Sequence, residues 1–195
     1  SATQLLQSEA FSKETYSRLE KMCNFLMHIV NKDGIFPSIG DSDYGVAIKL
    51  DICSNTANSI SVLNTAGIVF NRDDFRRNRS GIDGKSLWLL GHEGYVKYSR
   101  LNTIDVQLNS KGFLDSGYYI IRSKDLFVSF DCGPLGYLSL AAHGHADSLG
   151  VTLSVADAPI LVDPGTYLYH SGDKWRDYFR STMAHNTVRI DMLDQ

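Results

Sequence analysis

The apolar positions of the chain follow two different periods. Ser12 is placed to cap a helix in which Leu19, Met22, Cys23, Leu26, Ile29 and Val30 form one stripe. Lys13, Glu14, Arg18, Glu20 and Lys21 fall on its other face, and Asn31-Lys32-Asp33-Gly34 ends it. A loop rich in Gly, Pro and Asp follows, IFPSIGDSDYG. A second helix is predicted from about Thr56 to Val69, with Ile60, Leu63 and Ile68 apolar, and a short third around Ser86–Leu90. From about Gly112 the pattern changes. GYYIIRS, DLFVSFDCG, SLGVTLSVA, APILVDPG and NTVRID are short β-branched or aromatic runs separated by turn residues. Leu149, Val151, Leu153 and Val155 alternate with Gly150, Thr152 and Ser154, which predicts a strand with one buried face. The pattern gives an α+β chain: helices over residues 1–95, then an antiparallel β-sandwich over 96–195. So few strands leave unpaired edges, and the sheet part is expected to be incomplete, with more chain following.

Composition narrows the function classes. Of 195 residues, 43% are hydrophobic and 21% charged, so a sizeable core is expected and wholesale disorder is not. A net charge of −3 gives no electrostatic case for nucleic acid. The basic cluster from Arg72 to Arg79 reads as an anion site or as a solvated loop. Cys23, Cys53 and Cys132 lack CxxC spacing, which argues against a cysteine zinc site and a disulfide framework. No apolar run reaches membrane-spanning length, so membrane insertion is not expected. No signal peptide is visible, which leaves a periplasmic or secreted location open.

The chemistry-bearing residues concentrate near the end of the sequence. His143, His145 and Asp147 alternate by two in HGHAD. If extended, they share a face, and two imidazoles there can bind one metal. The competing reading is hydrogen-bonded or surface histidines. Asp163 ends the apolar run Ile160-Leu161-Val162 before Pro164-Gly165, as a metal carboxylate or as a turn former. His185 enters the NTVRID run. Val188 and Ile190 would share one face and His185 the other, so a bulge is needed to bring it to His145. Arg176 and Arg180 flank Tyr178 in WRDYFRST, and their guanidiniums suit carboxylate or sulfate oxygens. Trp175, Tyr178 and Phe179 suit stacking on sugar rings. The alternative is an Arg176 pair with Asp173 or Asp177 and aromatic core packing. The loop Gly40-Asp41-Ser42-Asp43-Tyr44-Gly45 has the look of a calcium-loop fragment but lacks EF-hand spacing, and reads as a solvated turn. No GxSxG, P-loop or GxGxxG is present.

HGHADSLGVTLSVADAPILVDPGTYLYH followed by WRDYFRSTMAHNTVRID resembles the heparinase II/III-like polysaccharide lyases, alginate-lyase relatives included. The opening helices with DGIFPSIGDSDYG resemble the end of that family's α/α toroid. The resemblance implies a toroid followed by antiparallel sheet layers, with a cleft between them. It implies a structural zinc held by His145, Asp163 and His185. It implies that His143 faces the cleft and takes part in catalysis or carboxylate neutralisation. Tyr178, Arg176 and Arg180 are the expected substrate-binding residues. The implied reaction is β-elimination on a uronic-acid-containing anionic polysaccharide, in a periplasmic or secreted enzyme. The family's catalytic Tyr, and an Asn or His beside it, lie earlier in the toroid, so this stretch alone is expected to be inactive.

Two other classes fit parts of the pattern. A cupin-like metal-binding β-sandwich enzyme would use HxH on a strand, and a redox-active iron would mark it. A catalytically silent carbohydrate-binding module would bind sugar without forming unsaturated product.

Overall fold

The computed structural model describes residues 11–42, 45, 50, 57–77, 81–136, 140–170 and 174–195. Cys53, Thr56, Asp43, Tyr44, Arg79 and Asp173, named above, lie outside the described residues. The chain divides into two compact units, residues 1–35 with 46–107 and residues 36–45 with 108–195. The loop before the second helix therefore belongs to the same unit as the sheet.

The first unit holds three helices: α1, Lys13–Ile29; α2, Asn58–Phe70; and α3, Gly84–Arg100. Ser12 caps α1 as expected, its Oγ accepting from Thr15 N at 3.3 Å. The apolar stripe of α1 is buried only toward its end: Met27, Ile29 and Val30 are buried, whereas Leu19 and Met22 are exposed. The third helix is much longer than Ser86–Leu90. It runs to Arg100 across a kink at Gly91, whose φ of 65° and ψ of −161° interrupt the helical path. The predicted end at Leu90 falls just before this kink, and the helix resumes beyond it. Ile68 of α2 packs with Leu90, Tyr98 and Leu101. Asp83 caps α3 and ties it to α2: its carboxylate accepts from Ser86 N at 3.0 Å, Ser61 Oγ at 2.6 Å and Ser86 Oγ at 2.8 Å.

The second unit is built on one sheet among the described residues. Its strands are β1, Lys111–Phe113; β2, Tyr118–Arg122; β3, Leu126–Asp131; β4, Val151–Val155; and β5, Ala158–Leu161. They pair in sequence order and all antiparallel. The α+β arrangement, helices first and antiparallel sheet second, is as expected. Ile120 is buried and sits opposite Ser129, which faces Thr152 of β4, the hydroxyls 2.5 Å apart. Ala156 and Asp157, both at positive φ, make the two-residue hairpin turn from β4 to β5.

Two strand expectations are corrected, and the conditional extended form of HGHAD is not adopted. Leu149 lies outside β4, at positive φ and exposed, and residues 151–154 are half-buried on both faces, so the clean alternation is not realised. HGHAD lies in a loop between β3 and β4. NTVRID is not a strand; it contributes only an isolated bridge, Ile190 with Leu193. Instead Asn186 O accepts from Val151 N at 3.1 Å, and the Asn186 amide donates to Val162 O at 2.8 Å. These bonds lay the segment beside the start of β4 and the end of β5. A short helix, α4, Lys174–Arg180, and a 3-10 turn, Thr182–Ala184, precede it.

Candidate functional site

Three chain segments bring Asp147, Asp163 and His185 together, with His145 next to His185 but outside that group of donor atoms. The loop before β4 brings His145 and Asp147, the segment after β5 brings Asp163, and the turn after α4 brings His185. Asp163 Oδ2 lies 2.8 Å from His185 Nδ1, and its Oδ1 accepts from Gly165 N at 2.9 Å, so Asp163 forms the turn with one oxygen and faces His185 with the other. The His145 and His185 rings are 5.3 Å apart between centroids. Asp147, Asp163 and His185 each offer a donor atom within 4.8 Å of the others. The His145 Nδ1 is buried and has no hydrogen-bond partner among the described residues. A buried imidazole nitrogen without a partner costs free energy unless something fills its lone pair, and a cation does so. The bulge invoked for His185 is unnecessary, because the segment is not a strand.

The electrostatics agree with a shared acidic centre. Burial pushes the Asp147 carboxyl up from its ordinary value against the pull of the His185 imidazole, and the nearby Asp163 charge adds to the rise. Burial alone would lower the His185 value; the hydrogen bond and charge of Asp163, with Asp147 behind it, raise it instead. Burial, and then the hydrogen bond to Asp131 at 2.5 Å, push the Tyr118 hydroxyl well above its usual range.

His143 and His145 do not share a face. His143 adopts a left-handed φ of 60°, and its side chain is 65% exposed, whereas that of His145 is fully buried. This corrects the extended HxH picture, in which both imidazoles hold one metal. His143 Nδ1 lies 2.8 Å from the Tyr169 hydroxyl and 3.2 Å from Asp41 Oδ2. It lies on the rim of a cavity of about 250 Å³ that Tyr118, Asp131, His145 and Asp147 also line.

Arg176 points at Asp41 rather than at Asp173 or Asp177. The pair is bidentate, Nη1 to Oδ1 at 2.5 Å and Nη2 to Oδ2 at 2.6 Å. That guanidinium is the main reason the Asp41 carboxyl sits well below the usual carboxylate range. Arg180 is exposed and donates to Gly144 O at 3.4 Å. Tyr178 packs edge-on against Trp175 and Phe179, while Tyr167 lies over Phe179 with centroids 4.9 Å apart. Most of this aromatic cluster is exposed, so it is a surface platform and not core packing.

Three residues of the site have no role there that the sequence assigns. Asp147 had the parity signal, two residues past His145, but no assigned role. Tyr169 lay inside GTYLYH without any signal of its own. Asp41 was assigned to a solvated turn, yet its side chain is only 4% exposed. Its partners lie more than a hundred residues away, so no local pattern marks it.

Among curated proteins, no sequence matches the chain. The family described as Heparinase II/III-like, C-terminal matches residues 105–195. Among solved structures, a heparinase III with methylated lysines is 20% identical, with a TM-score of 0.65 over 94% of this chain and 25% of that one. The heparan sulfate lyase HepC from Pedobacter heparinus is 19% identical, with a TM-score of 0.58 and the same coverages. A further heparinase III is 16% identical, with a TM-score of 0.59, over 94% of this chain and 28% of that one. The chain spans about a quarter of the length of these proteins. No helix among the described residues is long and apolar enough to cross a membrane. The fold matches that of a part of the heparinase III structures, and residues 105–195 are similar to the Heparinase II/III-like, C-terminal family.

Proposed function

We propose that the chain is part of a polysaccharide lyase that cleaves a uronic-acid-containing polysaccharide by β-elimination. The observation that carries this reading is His143: an exposed imidazole, fixed at Nδ1 by Tyr169 and Asp41, on the rim of a cavity beside a buried metal-type cluster. In the reaction the C5 proton of the uronate leaves to a base and its electrons form the C4–C5 double bond. The C4–O4 bond breaks, and O4 takes a proton to depart as the alcohol. Negative charge builds on the uronate carboxylate as the C5 proton leaves, so donors aimed at that carboxylate lower the barrier. His143 takes this role in the form protonated at both ring nitrogens, with Nδ1 donating to Asp41 and Nε2 to the uronate carboxylate. Arg180 is the exposed guanidinium for carboxylates or sulfates of neighbouring sugars, and Tyr178 with its aromatic neighbours supplies a stacking surface. Arg176, held by Asp41, supports the site and does not contact substrate directly. The base and acid belong to the helical portion of the full-length protein, whose location is periplasmic or secreted.

The donor atoms of Asp147, Asp163 and His185 lie within 4.8 Å of one another and fit zinc, and His145, whose ring centroid is 5.3 Å from that of His185, is the further donor proposed for it. This mixed imidazole and carboxylate set, largely buried, suits a closed structural site. When bound, zinc cross-links three chain segments and adds folding free energy.

The test is full-length protein with uronate polysaccharides, read by the ultraviolet absorbance of the unsaturated product together with elemental zinc. Product and about one zinc per chain are expected. A second reading, a silent carbohydrate-binding module, is favoured only by the exposed aromatic platform of Tyr167, Trp175 and Tyr178. Saturable binding of the polysaccharide without any product would establish it instead. A redox-active iron in place of zinc would point to the cupin-like reading.

A further inference from the structure

The carboxylate of Asp41 serves two histidines and an arginine at once. Oδ1 faces His145 Nε2 at 2.9 Å and Arg176 Nη1 at 2.5 Å; Oδ2 faces His143 Nδ1 at 3.2 Å and Arg176 Nη2 at 2.6 Å. The loop that carries it is clamped. Asp41 N donates to His143 O at 2.9 Å, and the Thr166 hydroxyl donates to both Gly40 O and Ser42 O at 3.2 Å. At Gly40, with φ of 50°, an added Cβ would lie 2.3 Å from the His143 carbonyl oxygen, so the close approach requires glycine.

An ionised carboxylate only accepts hydrogen bonds. His145 Nε2 must therefore carry the ring proton to bond Asp41. The other nitrogen, Nδ1, is then an unprotonated lone pair, and it is this buried atom that lacks any partner among the described residues. A carboxylate behind an imidazole fixes its tautomer and orientation and strengthens the opposite nitrogen as a ligand. Arg176 keeps the carboxylate ionised, and Asp41 in turn offsets a cation that would otherwise stand beside two imidazoles and repel a metal.

We propose that Asp41 is a positioning residue that sets the His145 tautomer so that Nδ1 is the metal ligand, and that orients His143 from the same carboxylate. The proposal rests on the reading of this region as a zinc-supported lyase site and extends it to a residue from a distant loop. One carboxylate thereby couples the geometry of the metal centre to that of the substrate-facing imidazole.

The test uses full-length protein and needs no substrate for its main readouts. In zinc-free wild-type protein labelled at the histidine nitrogens, nitrogen chemical shifts should show His145 protonated at Nε2 and not at Nδ1; the opposite tautomer overturns the proposal. Asp41→Asn should lower zinc affinity by about 10–100-fold in competition with a chromophoric chelator, and turnover should fall with it. Affinity within about twofold of wild type overturns the proposal alone, since wild type then still binds zinc. Wild-type protein that takes up no zinc removes the site reading and this proposal with it. The double variant Asp41→Asn, Arg176→Gln restores charge balance without restoring the carboxylate. It should remain impaired, because positioning and not charge compensation is at stake; full recovery of zinc affinity would reduce Asp41 to a counter-ion for Arg176 and overturn the proposal. Should the variants not fold, the wild-type tautomer decides.

Discussion

His143 holds a left-handed backbone conformation that costs a non-glycine residue on the order of 1 kcal/mol or more. Its carbonyl is bonded by Asp41 N and its ring by Tyr169 and Asp41, so the surrounding structure sustains the strain and aims an exposed imidazole. A group held this way and exposed to solvent suits substrate contact better than support of the metal. His143→Ala in the full-length protein is accordingly expected to lower turnover by ~10²-fold or more. Zinc content and melting temperature should stay near wild type. Loss of zinc in parallel with activity would place His143 among the supports of the metal centre. Tyr169→Phe removes one neutral hydrogen bond to His143 and should lower turnover by only about five- to tenfold, in line with roughly 1 kcal/mol. Much of this residue scale was legible in the sequence. Residue type alone marked His145, Asp163 and His185 as candidates, and the structure brings His185 beside both Asp163 and His145. Asp41 was not so marked, because a carboxylate in a Gly- and Pro-rich loop reads as solvated until its partners, far away in sequence, are seen.

At the scale of elements, caps and periods were readable and irregular backbone was not. Ser12 signalled the start of α1 because an N-cap acts through bonds to residues three positions on. NTVRID differs from its predicted strand because polar–apolar alternation in short runs is shared by strands and by loops pinned from both sides. Its path is set by long-range bonds such as that of Val151 N to Asn186 O, which no local window contains. The same scale holds a stability prediction. Asp83 is buried, caps α3 and holds Ser61 of α2. Asp83→Ala removes the cap and strands buried hydroxyls, so it is expected to cost about 2 kcal/mol or more in chemical denaturation. Burial opposes ionisation of this carboxyl, but the bonds from Ser61, Ser86 and Asn64 outweigh it and the value lies below its ordinary position. A depressed carboxyl contributes stability above its unfolded value, about 3.9, and loses it as pH falls through the folded value. Wild type should therefore lose this contribution below about pH 4, and the wild-type-minus-Asp83→Ala difference should shrink there. A difference that stays constant down to pH 2–3 would show that the ionised carboxylate is not what matters.

For the molecule as a whole, the two compact units make a local prediction about metal. All proposed zinc donors, His145, Asp147, Asp163 and His185, lie in the unit of residues 36–45 and 108–195. They come from three segments separated by β4, β5 and α4, so a bound ion closes loops that the hydrogen bonds alone hold loosely. The chain has two tryptophans, Trp88 in the helical unit and Trp175 in the sheet unit, and each reports on its own surroundings. With Trp88→Phe, fluorescence follows the sheet unit; with Trp175→Phe, it follows the helices. Zinc at about a hundred times its dissociation constant contributes roughly 2.7 kcal/mol. For a unit of this size that corresponds to a shift on the order of 10–20 °C. Chelation should lower the melting temperature read by Trp175 by that amount, and adding zinc back should restore it. The transition read by Trp88 should move less. Equal shifts at both tryptophans would mean that the units unfold as one, and no shift at Trp175 would mean that the cluster does not hold a structural ion.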